Sequence, residues 1–143
     1  MFLMDVNILI YAHREDTPEH RRYRQWLEGI VNSDSAYGLS DLVLSGFLRI
    51  VTHPKVFREP TPPDTAWTFV EELRNRQNCR LLYPGVRHWE IFKRLCNESG
   101  AKGNIFPDAF FAALAIETGS VWITTDQDYA RFRGLNWCHP LKL

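Results

Sequence analysis

The sequence has few cysteines and no paired histidines, which excludes two common kinds of small fold. Only three cysteines occur in 143 residues, at positions 79, 96 and 138. Their odd number and wide spacing, without a C-x-x-C pair, fit neither a disulfide framework nor a zinc knuckle. None of the five histidines has H-x-x-x-H spacing with another, so structural zinc is not expected. We therefore expect a protein of the reducing cytoplasm.

The sequence also lacks net charge and long hydrophobic runs. Seventeen Lys and Arg residues balance 17 Asp and Glu residues, which excludes a protein that coats nucleic acid through bulk positive charge. No apolar run approaches the roughly 18 residues of a membrane span, and the N-terminal segment, interrupted by Asp5, is not a signal peptide. The chain is expected to be soluble, to have no membrane partner and to be complete as written.

What the sequence does contain is apolar residues in alternating strand and helix patterns. With 45% hydrophobic residues, 143 residues suffice for one domain with a substantial core. The predicted strands cover residues 1–4, 36–39, 80–83, 121–123 and 135–137, and the predicted helices cover 6–12, 18–31, 41–51, 64–77, 86–99 and 107–118. This alternation predicts a single α/β domain over residues 1–143 with a mostly parallel sheet. Trp67, Trp89 and Trp122 lie on apolar faces and are predicted to be core.

Several acidic residues fall at positions that one end of such a sheet brings together. Asp5 and Asp126 follow predicted strands, Asp108 stands in the first turn of an apolar helix, and Asp128 lies two residues beyond Asp126. Ligands of open parallel sheets bind outside the carboxyl ends of the strands. Gathered carboxylates repel one another, which favours a divalent cation as their counter-charge. A set of oxygen ligands selects Mg²⁺ or Mn²⁺ over zinc.

Each of these acids also has a simpler interpretation, and other enzymes share the arrangement. Aspartate at the first turn of a helix is a favoured cap. Phosphohydrolases and phospho-accepting receiver domains also keep aspartates at the ends of parallel strands. These two classes fit less well, because the D-V-N segment lacks the second aspartate of a D-x-D motif and no lysine stands near residues 123–126.

Four segments in order resemble a known family. DVNILIYA, SxxxxxGFLRIVTHPKVF, PDAFFAALAIETG and WITTDQDYARF span nearly the whole chain. Together they resemble the PIN-domain nucleases, and most closely the toxins of VapBC toxin–antitoxin modules. The resemblance implies a three-layer α/β/α sandwich whose acidic pocket binds Mg²⁺ or Mn²⁺ and cuts single-stranded or looped RNA. It also implies a homodimer and a cognate antitoxin that silences the enzyme.

The resemblance assigns roles to particular residues. Asp5, Asp108 and Asp126 match the catalytic, metal-binding acids of the family, while Asn7 and Thr124 match residues that orient those ligands or a metal-bound water. The ends produced by cleavage would be 5′-phosphate and 3′-hydroxyl.

The sequence departs from the family at one position. Many members carry a glutamate on the second of these motifs, three residues before an arginine, where this chain has Gly46 before Arg49. Asp41 lies about 140° around the helix from position 46, so Asp128 is the better candidate for the missing metal ligand. The alternative is a weak or degenerate PIN scaffold that binds RNA or protein without cutting.

Basic residues are expected to contact RNA beside the acidic pocket. Arg14, Arg21, Arg22 and Arg49 are the predicted RNA-binding residues, and His13, His20, Arg24, Arg74 and Arg76 lie near them in sequence or in the predicted fold. The alternative is a solvated helix face whose arginines pair with Glu19 and Glu28.

Overall fold

Five short parallel strands form the centre of the computed structural model, which describes residues 1–143. The strands are β1 (Phe2–Met4), β2 (Tyr37–Leu39), β3 (Cys79–Leu81), β4 (Val121–Ile123) and β5 (Trp137–Cys138). They lie in the order β3-β2-β1-β4-β5, and each neighbouring pair is parallel. The sheet is therefore parallel throughout, where the sequence predicted a mostly parallel one.

Six α-helices cover the two faces of this sheet. They are α1 (Val6–His13), α2 (His20–Val31), α3 (Asp41–Val51), α4 (Pro63–Arg74), α5 (His88–Ser99) and α6 (Ile105–Thr118), with 3₁₀ helices at Gln127–Arg131 and Pro140–Lys142. The chain moves outward from β1 to β3 and then returns to β4. Since parallel crossovers are right-handed, this reversal puts α1 to α4 on one face and α5 and α6 on the other. The predicted α/β/α sandwich is confirmed.

The reversal of the chain also creates the crevice in which a site can form. β1 and β4 are neighbours in space, and Met4 is aligned with Ile123 at their carboxyl ends. Asp5 and Thr124 therefore emerge side by side, and the Asp5 amide donates a hydrogen bond to the Ile123 carbonyl at 2.9 Å. This is the place at which open parallel sheets bind ligands.

The predicted burial of two tryptophans is wrong. Trp67 is 53% exposed and Trp89 is 68% exposed, whereas Trp122 is fully buried. Each exposed ring follows a buried residue directly, Ala66 in α4 and His88 in α5. Consecutive side chains of an α-helix point about 100° apart. The buried faces of α4 and α5 are too narrow to include the residue that follows Ala66 or His88.

The predicted starts of three helices also need correction, and α5 begins at His88 rather than at residue 86. α2 begins at His20, because Glu19 adopts a left-handed conformation with φ of 57°. The Thr17 hydroxyl donates to the Arg14 carbonyl at 2.6 Å and does not cap this helix. α6 begins at Ile105, two residues before Pro107. None of the helices has the length and apolar character needed to cross a membrane.

Candidate active site

Asp5 lies buried where β1 passes into α1. Its Oδ1 accepts a hydrogen bond from the Val6 amide at 2.7 Å, and its Oδ2 accepts one from the Thr124 hydroxyl at 2.6 Å. The residue is only 6% exposed, and burial raises its pKa to about 6 although both hydrogen bonds oppose the shift. Asp108 and Asp126 raise this pKa further through their negative charges. Asp5 is therefore both a helix cap and a member of an acidic group.

The hydroxyl of Thr124 connects the predicted site residues. It donates to Asp5, and it accepts from the Asp126 amide at 3.1 Å and from Asn7 Nδ2 at 3.5 Å. Thr124 is fully buried, so this arrangement is shielded from water. The D-x-N motif of β1 and the T-x-D motif of β4 are thus joined at one oxygen atom, as their positions in the sequence suggested.

Asp108 approaches the same place from the first turn of α6. Burial and the charge of Asp126 raise its pKa, while a hydrogen bond from Tyr129 and the nearby Arg131 lower it. The Tyr129 hydroxyl donates to Asp108 Oδ1 at 3.2 Å. Burial first, and then the charges of Asp5 and Asp108, raise the pKa of Tyr129, so its phenol remains neutral. No sequence motif singled out Tyr129, because only the fold brings it to Asp108.

Asp126 and Asp128 have different positions although they are two residues apart. Asp126 caps the 3₁₀ helix Gln127–Arg131, and its Oδ1 accepts from the Asp128 amide at 2.9 Å. The Asp128 side chain is 72% exposed and lies 3.7 Å from the guanidinium of Arg131. The alternative that Asp128 caps this helix is wrong, because Asp126 holds that position.

The three acids Asp5, Asp108 and Asp126 have no cation as a partner. None of them takes part in an ion pair. Beside them, the Asn7 Oδ1 atom is buried without any hydrogen-bond donor. An electron-rich pocket of carboxylate and amide oxygens has the chemistry that a hard divalent cation requires. The chemistry of these donors therefore suits Mg²⁺ or Mn²⁺.

The side chains are not, however, arranged as a finished metal site. No three acidic, histidine or cysteine side chains lie close enough together to hold one ion. The predicted ligand set of Asp5, Asp108, Asp126 and Asp128 thus stays a prediction.

Gly46, the position of the missing glutamate, lies against the start of α1. A Cβ atom at Gly46 would lie 3.7 Å from Val6 Cγ2, an ordinary van der Waals contact, so the helix tolerates a side chain there. Asp41 cannot substitute for that glutamate, because Arg74 and Tyr83 already bind its carboxylate. The same ion pair occupies Arg74, one of the basic residues expected near the predicted RNA-binding arginines.

The predicted RNA-binding arginines differ in availability. Arg14 is buried, its guanidinium binds Asp16, Glu59 and Thr61, and it lies 4.0 Å over the Phe57 ring. These contacts argue against the predicted RNA contact of Arg14, since its donors are occupied within the fold.

The other three predicted RNA-binding arginines, Arg21, Arg22 and Arg49, are exposed. Arg22 pairs with Glu19 at 2.6 Å, and the neighbouring Arg24 pairs with Glu28 at 3.0 Å, as the solvated-face alternative predicted. Arg21 and Arg49 are exposed and form no ion pair.

A separate cavity of about 270 Å³ lies between α1, α2 and α4. His13, Leu27 and Phe69 are among its lining residues, and none of the predicted acids contributes to it. The acidic site at the carboxyl ends of β1 and β4 is thus distinct from this cavity.

Comparison with known proteins finds matches over nearly the whole chain. The sequence model of the PIN domain family matches residues 2–135. A VapC ribonuclease of Mycobacterium bovis is 47% identical over 141 residues, which are 99% of this chain and 96% of that protein. Ribonuclease VapC25 of Mycobacterium tuberculosis is 36% identical over 140 residues, 98% of this chain and 99% of that protein.

Solved structures share the fold at lower identity. VapBC2 from Rickettsia felis, bound to a DNA fragment from its promoter, superposes with a TM-score of 0.70 at 16% identity and covers 96% of each chain. VapBC-1 from nontypeable Haemophilus influenzae also has a TM-score of 0.70, at 18% identity over 98% of each chain. At this identity the likeness concerns the fold.

Proposed function

The chain belongs to the PIN domain family, and from that premise we propose that it is a Mg²⁺- or Mn²⁺-dependent endoribonuclease. Its substrate would be single-stranded or looped RNA, and it would act as the toxin of a toxin–antitoxin pair. The full-length relatives at 47% and 36% identity are named VapC ribonucleases, which supports the nuclease activity. Residues 1–143 would form a single domain of this kind.

One observation carries the proposal: Asp5, Asp108 and Asp126 are near enough to repel one another at the carboxyl ends of β1 and β4, and none of them has an ion-pair partner. Asp5 and Asp108 have raised pKa values, in part because the acids repel one another. Such a cluster costs stability, and a fold that keeps it needs a counter-charge for its function. A divalent cation bound there would supply a nucleophilic water and neutralise charge on the phosphate oxygens.

The chain's own residues would position that chemistry. Thr124 fixes the orientation of Asp5 through a 2.6 Å hydrogen bond and ties it to the main chain of Asp126. The Asn7 side-chain nitrogen donates to the same hydroxyl at 3.5 Å, and the Asn7 Oδ1 atom is buried without a hydrogen-bond donor. Burial of Asp5 and Thr124 excludes bulk water from one side of the crevice.

Arg21 and Arg49 are the arginines best placed to bind the RNA backbone. Both are exposed, and neither is neutralised by a carboxylate. Arg22 would contribute only by exchanging Glu19 for a phosphate, which weakens the case for it.

We also propose a small antitoxin and a homodimer as partners. The neighbouring solved structures include VapBC complexes, and an arginine or lysine from an antitoxin could replace the metal's charge among the acids. For the homodimer, Val86, Trp89 and Phe106 expose apolar surface on the α5 and α6 side. Leu42 from the start of α3 joins Phe106 and Phe110 of α6 in lining an apolar cavity of about 300 Å³.

The purified chain incubated with total RNA, with and without Mg²⁺, tests the activity. We expect new 5′-phosphate and 3′-hydroxyl ends that require the metal and disappear in the Asp108→Asn variant. RNA that is bound but stays intact would instead support the degenerate scaffold, an alternative that Gly46 favours.

Growth of the producing cell tests the toxin role separately. Expression of this chain alone should slow growth, the Asp108→Asn variant should not, and co-expression of a neighbouring antitoxin should restore it. Normal growth with folded, soluble wild-type protein would contradict the toxin role while leaving the nuclease activity open to the RNA assay.

A further inference from the structure

Tyr129 has no role in the function proposed above, yet its hydroxyl is bonded to one of the three acids. It donates to Asp108 Oδ1 at 3.2 Å, and this is the only hydrogen bond that the Asp108 carboxylate accepts. Asp108 Oδ2 has no donor. Since Asp108 also lacks an ion pair, the phenol is the one side chain that restrains the carboxylate.

The ring of Tyr129 is itself held in place by aromatic neighbours. The residue is 3% exposed, with ring centroids 5.5 Å from Trp122 and 5.8 Å from Phe132. Trp122 in turn stacks on Phe111 at 5.4 Å and 15°, and Phe111 lies three residues after Asp108 on α6. The hydroxyl therefore approaches Asp108 from a fixed direction.

The main chain of Tyr129 is tied to a second acid of the site. Its amide lies 3.4 Å from the Asp126 carbonyl, and Asp126 caps the same 3₁₀ helix. One short turn thus holds Asp126 at its start and carries the phenol that reaches Asp108.

We propose that Tyr129 is a positioning residue, which orients the Asp108 carboxylate relative to Asp126 so that both can bind one divalent cation. The inference rests on the proposed function for the cation. A neutral phenol suits this task, because it satisfies one carboxylate oxygen without cancelling the negative charge, as an arginine would. Donors that hold metal-binding side chains in this way typically change metal affinity 10- to 100-fold when they are removed.

The Tyr129→Phe variant tests this role because it removes the hydroxyl and keeps the ring that packs on Trp122. Mn²⁺ binding measured by calorimetry should weaken by about 10- to 100-fold. Cleavage of RNA at limiting Mn²⁺ should fall and should recover when Mn²⁺ is raised, with little change in the KM for RNA. Recovery with excess metal separates positioning of a ligand from damage to the fold.

The matched control is Tyr23→Phe, which removes a hydroxyl from another buried tyrosine. Tyr23 is 5% exposed, and its hydroxyl lies 3.4 Å from His139 Nε2, away from the acids. This variant should bind Mn²⁺ and cut RNA as the wild type does.

Three outcomes would overturn the inference, and they can be told apart. If the wild type binds Mn²⁺ and cuts RNA, and Tyr129→Phe does so equally well, the hydroxyl positions nothing. If Tyr129→Phe lowers only the melting temperature of the metal-free protein, its role is structural. If the wild type neither binds Mn²⁺ nor cuts RNA, the proposed function fails and this inference fails with it.

Discussion

Asp5 is the residue on which the electrostatics of the site depend most. Its two carboxylate oxygens are occupied by the Val6 amide and the Thr124 hydroxyl, and its pKa is still raised to about 6. The penalty of burying its charge therefore exceeds what two good hydrogen bonds return. Keeping Asp5 charged at neutral pH therefore lowers the stability of the metal-free fold.

The first prediction concerns the pH dependence of stability without metal. A carboxyl with a raised pKa holds its proton longer in the folded state, so the free energy of unfolding falls as pH rises from about 4 to about 6. From an ordinary value of 3.8 to about 6, the Asp5 contribution is about 3 kcal/mol. The Asp5→Asn variant should lack this loss and be more stable than the wild type at pH 7, as chemical denaturation measures.

The comparison between variant and wild type is needed because other groups titrate nearby. His13 and His139 have lowered pKa values, so their contributions increase stability with pH below about 6.5. Asp16 and Asp41 also have lowered pKa values, and these change the stability only below about pH 4. The difference between the two proteins removes all of these. A difference that does not change between pH 4 and 6 would contradict the raised pKa of Asp5.

The second prediction separates two arginines by their surroundings. Arg14 is buried and fully bonded, so Arg14→Ala should destabilise the fold by about 1.5–3 kcal/mol. Arg49 is exposed and unpaired, so Arg49→Ala should leave the melting temperature nearly unchanged and weaken RNA binding. If Arg49 contacts one phosphate, the plot of log K against log salt concentration should be less steep for Arg49→Ala than for the wild type, by about 0.7 in slope. An Arg49→Ala variant less stable than the wild type, or an Arg14→Ala variant as stable as the wild type, would contradict the structural role of Arg14 and the RNA-binding role of Arg49.

At the scale of the elements, α3 places a glycine, Gly46, against the start of α1. Gly46 lies in the middle of α3, and the only atom that a Cβ there would meet is Val6 Cγ2 at 3.7 Å. Val6 is the residue directly after Asp5. A longer side chain at position 46 would therefore start beside the residue that follows Asp5.

The third prediction uses two substitutions at Gly46 to separate helix propensity from metal binding. Gly46→Ala should stabilise the protein by about 0.5–1 kcal/mol and leave the affinity for Mn²⁺ unchanged. Gly46→Glu should add a carboxylate and tighten Mn²⁺ binding in calorimetry. If Asp128 replaces the missing glutamate, Asp128→Asn should cost the wild type more affinity than it costs Gly46→Glu. Equal losses in the two backgrounds would mean that the positions do not share a role.

The elements also mark how far the sequence could predict the structure. Strand ends at Asp5 and Thr124 followed from apolar runs that stop at polar residues, and their juxtaposition followed from the rule for parallel sheets. The exposure of Trp67 and Trp89 did not follow, because periodicity defines an apolar face without saying how much of it the neighbouring elements cover. Tyr129 was missed for a similar reason: its partner Asp108 is 21 residues away and is reached only through packing on Trp122.

At the scale of the whole molecule, a neutral chain contains a local excess of negative charge. Equal numbers of acidic and basic residues give no net charge, but six ion pairs draw their acids from outside the group Asp5, Asp108 and Asp126. The folded state therefore concentrates unpaired carboxylates at one edge of the sheet. Any cation that binds there and not to the unfolded chain must raise the stability of the whole domain.

The fourth prediction is the size and specificity of that stabilisation. Mg²⁺ or Mn²⁺ at 100 times its Kd should add about 2.7 kcal/mol to the free energy of unfolding, which raises the melting temperature by about 10 °C in a chain of this length. NaCl at equal ionic strength is the control, because simple screening also relieves repulsion between carboxylates. Asp5→Asn and Asp108→Asn begin with less repulsion and fewer ligands, so both should gain less from the divalent ion than the wild type. If NaCl matches the divalent ion, or if both variants gain as much as the wild type, the three acids repel one another without forming a binding site.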